Sequence, residues 1–346
     1  MNSMNLMDVL LFQDRNELIK LVKEREVAFN LNSKRELVEV LYPMLLNSEH
    51  ISAKFDSLTN EAQKIVLALC YDQKLFLSKE ELYGLTPSLD TITFQKVIEE
   101  LTANGFLFCY VNRNYLIPSQ IKKQLVRSIH LKIEDYRLVL PATALDAEIS
   151  IVNDLFVFID YVQEKPLSLT KTGVIYKKDF QSMMNHFRYK ETLPNEQWRF
   201  GYGRRFSQYP DRFSLLYDFC FENGWLLEKE GVLTVQPCVE DLYDMRLPQL
   251  MKSIITYWQK LYRRPFPTVR LLYQILLDSL TEGEALEEEP LISFLTPFVN
   301  EYYFDNKEDI ITKRFFYMLE YMDVIKRVEF HNISGFTVGP SLKFLK

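Results

Sequence analysis

Residues 91–118 read TITFQKVIEELTANGFLFCYVNRNYLIP, and this stretch decides the fold class. Apolar side chains recur at helical spacing between Phe94 and Leu101, which predicts an amphipathic helix that begins at Thr91. The Asn-Gly pair at Gly105 closes this helix, because glycine readily adopts the left-handed backbone conformation of a helix C-terminal cap. The residues that follow read as strand, turn and strand, so the stretch predicts a helix followed by a β-hairpin.

Two more helices are expected before this stretch. Residues 57–61 offer a helix N-terminal cap followed by apolar residues at helical spacing, and Ser78 starts a shorter second helix. Residues 55–118 therefore predict three helices followed by a hairpin, which is the element order of a winged-helix module.

The same ending recurs at residues 211–237. Gly224 follows a predicted helix, and Pro237 follows Gly224 at the spacing at which Pro118 follows Gly105. A looser third copy, which lacks the Asn-Gly pair, comprises a helix at 309–322, a strand at 324–330, a turn at 331–335 and a strand at 336–338. This recurrence indicates a repeated module.

The expected fold class is mainly α with small β-hairpins (α+β), as tandem winged-helix-like modules joined by helical connectors. A chain of 346 residues exceeds the size at which single cores stop growing, about 250 residues. We expect three domains. Residues 1–140 hold an N-terminal helical region and the first module, 141–245 the second module with a basic and aromatic insertion, and 246–346 a helical connector and the third module. The acidic run at 282–289 is expected to be a linker or a solvated helix start.

Charge and hydrophobicity exclude several classes of protein. A net charge of −6 leaves no whole-chain basic footprint for nucleic acid, so such binding would need a local basic surface. No apolar run of about 18 residues is present, so no membrane partner is expected. The four cysteines lack paired spacing and predict no disulfide framework, which fits a reducing, cytoplasmic location.

Catalytic and ligand-binding motifs are missing from the sequence. The histidines are isolated from other metal-ligating residues; they are His50, His130, His186 and His331. The Gly201-Tyr202-Gly203 sequence is no dinucleotide-binding fingerprint, since Phe206 occupies the position of the third glycine. No catalytic residue, metal site or cofactor is therefore expected, and the chain is predicted not to be an enzyme.

A basic segment stands out at residues 165–212. It carries ten Lys or Arg against four Asp or Glu, a local net charge of +6, with aromatic residues interleaved. Cations neutralise phosphates and aromatic rings stack on bases, so this composition is typical of a nucleic-acid-contacting surface. The alternative is that the aromatic residues fill a gap between modules while the basic groups reach water. The candidate nucleic-acid-binding residues are Lys171, Lys177, Lys178, Arg199, Arg204 and Arg205, of which the three arginines are the sharpest candidates.

The helices that would enter a DNA major groove do not look like sequence readers. Residues 91–104 and 211–223 hold more acidic than basic side chains, whereas groove-reading helices bring Arg, Lys, Asn or Gln to base edges. In the third such helix the only basic pair is Lys313-Arg314.

Residues 169–180, LTKTGVIYKKDF, resemble the LTKxGxIyKrDl stretch of bacterial helicase-associated proteins, which are similar to the N-terminal part of XPB-type helicases. The resemblance implies a non-catalytic chain that acts with a DNA helicase. Since this chain has no GxxxxGK[ST] phosphate loop, helicase activity would come from another polypeptide.

Two hypotheses of function remain open. The first is a non-catalytic nucleic-acid-associated adaptor that binds DNA or RNA and acts with a helicase, a related DNA-processing machine or another protein partner. The second is a protein–protein interaction scaffold without nucleic-acid contact.

Overall fold

A computed structural model describes residues 4–22, 33–72, 74–140, 149–194 and 201–345 of the chain. These residues are mainly helical and carry small antiparallel sheets. The fold class expected from the sequence, mainly α with small β-hairpins, is confirmed at this level.

The chain folds into two compact units, each built from separated segments. Unit 1 comprises Met1–Tyr136, Pro267–Ser279 and Ser293–Asn300, and unit 2 comprises Arg137–Phe266, Leu280–Ile292 and Glu301–Lys346. The division into domains 1–140, 141–245 and 246–346 stays a prediction.

Before residue 137, the described part of unit 1 contains eight α-helices. They are α1 (Leu6–Phe12), α2 (Arg15–Val22), α3 (Lys34–Leu45), α4 (Ser48–Asp56), α5 (Asn60–Tyr71), α6 (Lys79–Tyr83), α7 (Thr91–Ala103) and α8 (Ser119–Glu134). Strands β1 (Phe108–Cys109) and β2 (Tyr115–Leu116) form an antiparallel pair after α7. Leu77 adds an antiparallel bridge to Tyr115, so a strand position before α6 joins the hairpin.

Helix α7 begins and ends where the sequence predicts. The Asp90 side chain accepts hydrogen bonds from the backbone N–H groups of Ile92 and Thr93, which satisfies donors that a helix start leaves unpaired. Asn104 is the C-terminal cap, and Gly105 follows it with φ of +79°. The prediction that this Asn-Gly pair closes a helix directly before a hairpin is confirmed.

Unit 2 begins with a strand and continues through helices and a second hairpin. Its elements before residue 267 are β3 (Arg137–Val139), α9 (Ser150–Glu164), β4 (Leu167–Ser168), α10 (Lys177–Met184), α11 (Asp211–Glu222), β5 (Leu226–Lys229), β6 (Val232–Val235), α12 (Glu240–Asp244) and α13 (Leu247–Tyr262). Helix α14 (Val269–Ser279) belongs to unit 1, where it packs on α5 and α8.

The last part of the chain holds a helix interrupted by a π-helical stretch. Its elements are β7 (Glu284–Glu287), α15 (Glu288–Leu295), α16 (Lys307–Asp309), a π-helix (Ile310–Phe316), α17 (Tyr317–Tyr321), β8 (Ile325–Phe330) and β9 (Ile333–Val338).

The second hairpin of the sequence repeat is also confirmed. Asn223 caps α11 and Gly224 has φ of +75°, directly before β5. Strands β5 and β6 join through Glu230 and Gly231, which both have positive φ, as a two-residue type I′ turn requires. Strand β4 pairs with the other edge of β6, so the antiparallel order is β4-β6-β5.

The third hairpin differs from its prediction in two details. Its turn is only His331 and Asn332, which both adopt positive φ, so β9 begins at Ile333 rather than at residue 336. Asp323, with φ of +49°, occupies the left-handed position that glycine fills in the other two copies. Asp adopts this conformation more readily than most residues other than glycine, because its short polar side chain can hydrogen-bond locally.

The acidic run at 282–289 is not simply a linker or a solvated helix start. Four of its residues form β7, which lies between β3 and β9 in an antiparallel sheet of order β3-β7-β9-β8. Ala285 and Leu286 are buried, and Arg137 donates to Glu284 over 2.7 Å. Two buried apolar residues and a cross-strand partner for an acid therefore place this acidic stretch in the sheet interior.

The core of unit 2 is an aromatic cluster centred on the buried ring of Phe213 on α11. Ring centroids within 5.0–6.1 Å of it belong to Phe158, Phe180, Phe187, Tyr209 and Tyr217. Three of these five pairs are edge-to-face, an arrangement that aromatic quadrupoles favour, and the other two are tilted. This cluster joins α9, α10 and α11.

Candidate nucleic-acid interface

The basic segment enters unit 2 through a tight turn between β4 and α10. Leu169 and Ile175 form an antiparallel bridge, and the Thr170 backbone N–H donates to the Val174 carbonyl over 2.7 Å. Gly173, with φ of +76°, closes the turn by donating to Thr170. The turn holds residues 171 and 172 at its exposed tip.

Three of the predicted site residues lie exposed in this region. Lys171 is on the turn, and Lys177 and Lys178 form the start of α10. Tyr176, the residue before them, exposes 50% of its surface. The structure therefore places these lysines within one short segment, residues 171–178, whose exposed side chains we call the lysine surface.

The start of α10 adds partial positive charge to the lysine surface. Tyr176 occupies the N-terminal cap and makes no side-chain hydrogen bond to the helix. The first backbone N–H groups of a helix have no partner within the helix, and they favour anions such as phosphate. Asp179 is the acid of this first turn, and it pairs with Lys165 over 2.9 Å. This hydrogen bond raises the pKa of Lys165.

Arg204 and Arg205 lie elsewhere and point inward to one carboxylate. The Glu228 side chain accepts from Arg204 Nε over 2.9 Å and from Arg205 Nη2 over 2.6 Å. It also accepts from the Tyr217 hydroxyl over 2.7 Å. Burial alone would raise the pKa of Glu228, but the hydrogen bonds from Arg204, Tyr217 and Arg205 hold it below its usual value. The charges of both arginines are thus engaged within unit 2.

Glu228 was not among the candidate site residues predicted from the sequence. It lies on β5, and its side chain is only 14% exposed. An acid directly after the apolar run 225–227 was the available signal for a buried ion pair.

Arg205 also explains the glycine of the LTKTG sequence. Its guanidinium donates to the Thr172 carbonyl over 2.8 Å, and it lies where a Cβ atom of residue 173 would be. Gly173 is therefore required both for its positive φ and for the close approach of Arg205.

We expect the double substitution Arg204→Ala with Arg205→Ala to lower the free energy of unfolding by about 2–4 kcal/mol, because Glu228 and Tyr217 lose their charged partners. Urea denaturation of the wild type and variant measures this loss. The exposed pair Lys177→Ala with Lys178→Ala is the matched control and should change stability by less than about 1 kcal/mol. A double arginine variant as stable as the control would contradict the structural role.

The remaining members of the basic segment have different surroundings. Arg212 is buried, and its guanidinium lies 3.6 Å from the Tyr317 ring centroid and 4.1 Å from that of Tyr189. Arg188 and Lys190 are exposed. Arg199 lies outside the described residues.

Four aromatic residues in the described part of the segment are buried. The buried ones are Phe180, Phe187, Tyr202 and Tyr209. Buried rings cannot stack on bases, so the alternative of aromatic packing describes these four residues, whereas Tyr176 is exposed.

The helix of unit 2 that would correspond to a groove-reading helix is covered. Most of α11 is buried, namely Arg212, Phe213, Ser214, Leu215, Leu216, Tyr217, Phe219 and Cys220. Phe219 packs against Tyr257 of α13 with 5.4 Å between ring centroids, and Arg212 packs against Tyr317. Helix α11 thus offers no open face to a DNA groove. In unit 1, α7 does expose a face, which includes Ile92, Lys96 and Glu99.

Buried carboxylates fix the loop that follows α10. Burial raises the pKa of Asp154, although its carboxylate accepts from the backbone N–H groups of Arg188 and Tyr189. Burial also raises the pKa of Glu191, which accepts from the Tyr317 hydroxyl over 2.7 Å. These contacts tie the loop to α9 and α17.

Among the described residues, no group of three or more His, Cys, Asp or Glu side chains is arranged to hold a metal ion. Within the same part of the chain, no helix combines the length and the apolar character needed to cross a bilayer.

Comparison of the chain with protein-family models found no match, and a search of curated proteins found no significant match either.

Proposed function

We propose that this chain is a non-catalytic, nucleic-acid-associated adaptor of winged-helix-type modules, which contacts phosphates through the lysine surface. It acts beside a helicase or a related DNA-processing machine, which supplies the catalysis. The observation that carries the proposal is the exposure of Lys171, Lys177 and Lys178 around the start of α10.

The order of elements supports the winged-helix assignment. In unit 2 the order is helix α9, strand β4, helices α10 and α11, then the β5–β6 hairpin, with sheet order β4-β6-β5. In unit 1 it is α5, a bridge at Leu77, α6, α7, then the β1–β2 hairpin. A three-helix bundle with a strand before the second helix and a terminal hairpin is the winged-helix topology.

The covered helix α11 and the exposed lysines favour one mode of contact. Sequence reading needs side chains at base edges, whereas phosphate contacts need only accessible cations. Binding should therefore be electrostatic, weak in sequence preference and steeply salt-dependent. The similarity of residues 169–180 to helicase-associated proteins covers the lysine surface itself, which supports a helicase as the partner.

Fluorescence anisotropy with a labelled 20-nucleotide strand, the corresponding duplex and an RNA of the same sequence tests the proposal. We expect salt-sensitive binding by the wild type. The triple substitution Lys171→Ala, Lys177→Ala and Lys178→Ala should weaken binding at least about tenfold at low salt, and should flatten the log–log salt slope by roughly one per lost phosphate contact.

A matched control removes the same charge elsewhere in unit 2. It replaces three other exposed lysines by Ala: Lys252, Lys260 and Lys343. This control should bind within about twofold of the wild type, since phosphate contacts at the lysine surface remain intact. No salt-sensitive binding by the wild type, or equal loss in both triple variants, would contradict the proposal.

A protein-interaction scaffold is the second candidate, and one apolar cluster in unit 1 favours it. Leu11, Phe12 and Val111 each expose about half of their surface. The Phe12 ring lies 3.9 Å from that of Tyr110, which stacks on Phe76 at 5.5 Å. Contiguous exposed apolar groups mark protein interaction sites. This candidate would be favoured if the wild type binds no nucleic acid but binds a protein partner that the Phe12→Ser variant no longer binds.

A further inference from the structure

Unit 1 contains a cavity of about 580 Å³. None of the residues that line it belongs to the lysine surface. The cavity opens between the end of α5, one face of α8 and α14, which pack against one another. Its volume is within the range of about 300–1,000 Å³ that is typical of small-molecule sites.

The wall of the cavity is largely apolar. Leu69 from α5, Ile117, and Val126 from α8 line it together with Met4 and Leu75. Such a wall favours a ligand with an apolar body, since removing apolar surface from water is favourable.

The rim of the cavity carries a positive balance. Four cationic side chains line it, Lys74, Lys122, Lys123 and Arg127, against the two carboxylates of Asp72 and Asp278. Lys123 and Arg127 are exposed on α8, one helical turn apart. This arrangement favours an anionic group at the mouth of the cavity.

Lys122 is held in place at the cavity by the end of α5. Its Nζ donates to the carbonyls of Leu69 and Asp72 over 2.9 and 2.8 Å, so it caps the last turn of the helix. Burial lowers the pKa of this lysine. Its position is therefore fixed before any ligand arrives.

Tyr71 and His130 also line the cavity. The Tyr71 hydroxyl and the His130 Nε2 atom themselves are shielded from solvent and have no hydrogen-bond partner among the described residues, so these two atoms do not face the open space of the cavity. Cys70 also lines the cavity, but burial raises the pKa of its thiol to about 12, so it is not a nucleophile at neutral pH.

We propose that this cavity binds a small amphipathic organic anion. The apolar body lies against Leu69, Ile117 and Val126, and a carboxylate faces Lys123 and Arg127. This site belongs to unit 1 and is independent of the proposed contact with nucleic acid.

Calorimetric titration of the full chain with decanoate tests the proposal, with decanol as the neutral probe of equal chain length. We expect decanoate to bind and decanol to bind about tenfold more weakly, because decanol cannot pair with the cationic rim. The double substitution Lys123→Ala with Arg127→Ala should weaken decanoate binding about tenfold and leave decanol binding unchanged.

Val126→Phe fills the apolar part of the cavity and should reduce the affinity for both probes at least about tenfold. The control is Lys20→Ala with Arg35→Ala, which removes two exposed cations of unit 1 that do not line the cavity and should leave both affinities unchanged.

The absence of decanoate binding below its micellar concentration would overturn the site. Equal binding of decanoate and decanol, with no effect of the rim substitutions, would overturn the assignment of an anion. If Val126→Phe does not fold, the exposed rim variants and the decanol comparison still decide the proposal.

Discussion

The substitution Arg314→Met is expected to lower the free energy of unfolding by about 3–5 kcal/mol, the range for breaking a buried ion pair. The Arg314 side chain is only 7% exposed and donates to Asp305 over 2.8 Å and to Asp211 over 2.6 Å. These bonds raise the pKa of Arg314 despite its burial. Removal of the guanidinium takes this partner from the buried carboxylate of Asp305 and from Asp211, whose side chain is 13% exposed, and chemical denaturation measures the loss.

Two further variants test this explanation. Lys313→Ala removes the neighbouring cation, which is 65% exposed and pairs with Asp309, so its effect should stay below about 1 kcal/mol. Adding Asp305→Asn to Arg314→Met should recover part of the lost stability, because it removes one unpaired buried charge. A loss below about 1 kcal/mol for Arg314→Met would show that the ion pairs do not stabilise the fold.

Phe213→Ala should destabilise the protein by about 3–5 kcal/mol, the usual range for truncation of a buried aromatic ring. Phe213 is 1% exposed, and its ring lies 5.1 Å from those of Phe158 on α9 and Phe180 on α10. Its truncation therefore removes packing contacts between α11 and both of these helices. Thermal and urea unfolding, followed by circular dichroism, measure the change.

A phenylalanine of unit 2 with an exposed ring provides the control. Phe304 is 70% exposed, so Phe304→Ala should cost less than about 1 kcal/mol. We expect Phe213→Leu to destabilise the protein by less than half as much as Phe213→Ala, since leucine refills part of the volume. Equal destabilisation by Phe213→Ala and Phe304→Ala would contradict the assignment of Phe213 to the centre of the core.

The basic residues of segment 165–212 fall into two groups with different surroundings. Arg204 and Arg205 stabilise unit 2 through Glu228, whereas Lys171, Lys177 and Lys178 have exposed side chains. A loss of binding in arginine variants therefore needs a folding measurement beside it, while the lysine variants report on contact directly.

Much of the local structure could be predicted because its causes are local. Gly105 and Gly224 close their helices since a C-terminal cap needs positive φ, and that requirement depends on the backbone of a few residues. Ser78 starts α6 because its side chain and that of Glu81 satisfy each other's backbone donors. Such signals act over three or four positions and are visible without the tertiary fold.

The candidate site was predictable only in part for the same reason. Local charge identified residues 165–212, and the exposed lysines at 171–178 agree with a basic surface. The sequence did not reveal that Arg204 and Arg205 form ion pairs, because their partner, Glu228, is more than 20 positions away along the chain. The two residues of the basic pair Lys313-Arg314 also differ in burial, since the Lys313 side chain is exposed and the Arg314 side chain is buried.

By itself, the sequence determined α5, α6, α7 and α11, the Asn-Gly caps, the first two hairpins and the location of the positive charge. Only the tertiary structure decided which cations are accessible, that α11 is covered, that residues 284–287 of the acidic run form an inner strand, and that α5, α8 and α14 enclose a cavity. The physical reason is that hydrogen-bond caps and turn conformations are short-range, whereas burial and ion pairing depend on side chains that folding brings together from distant segments.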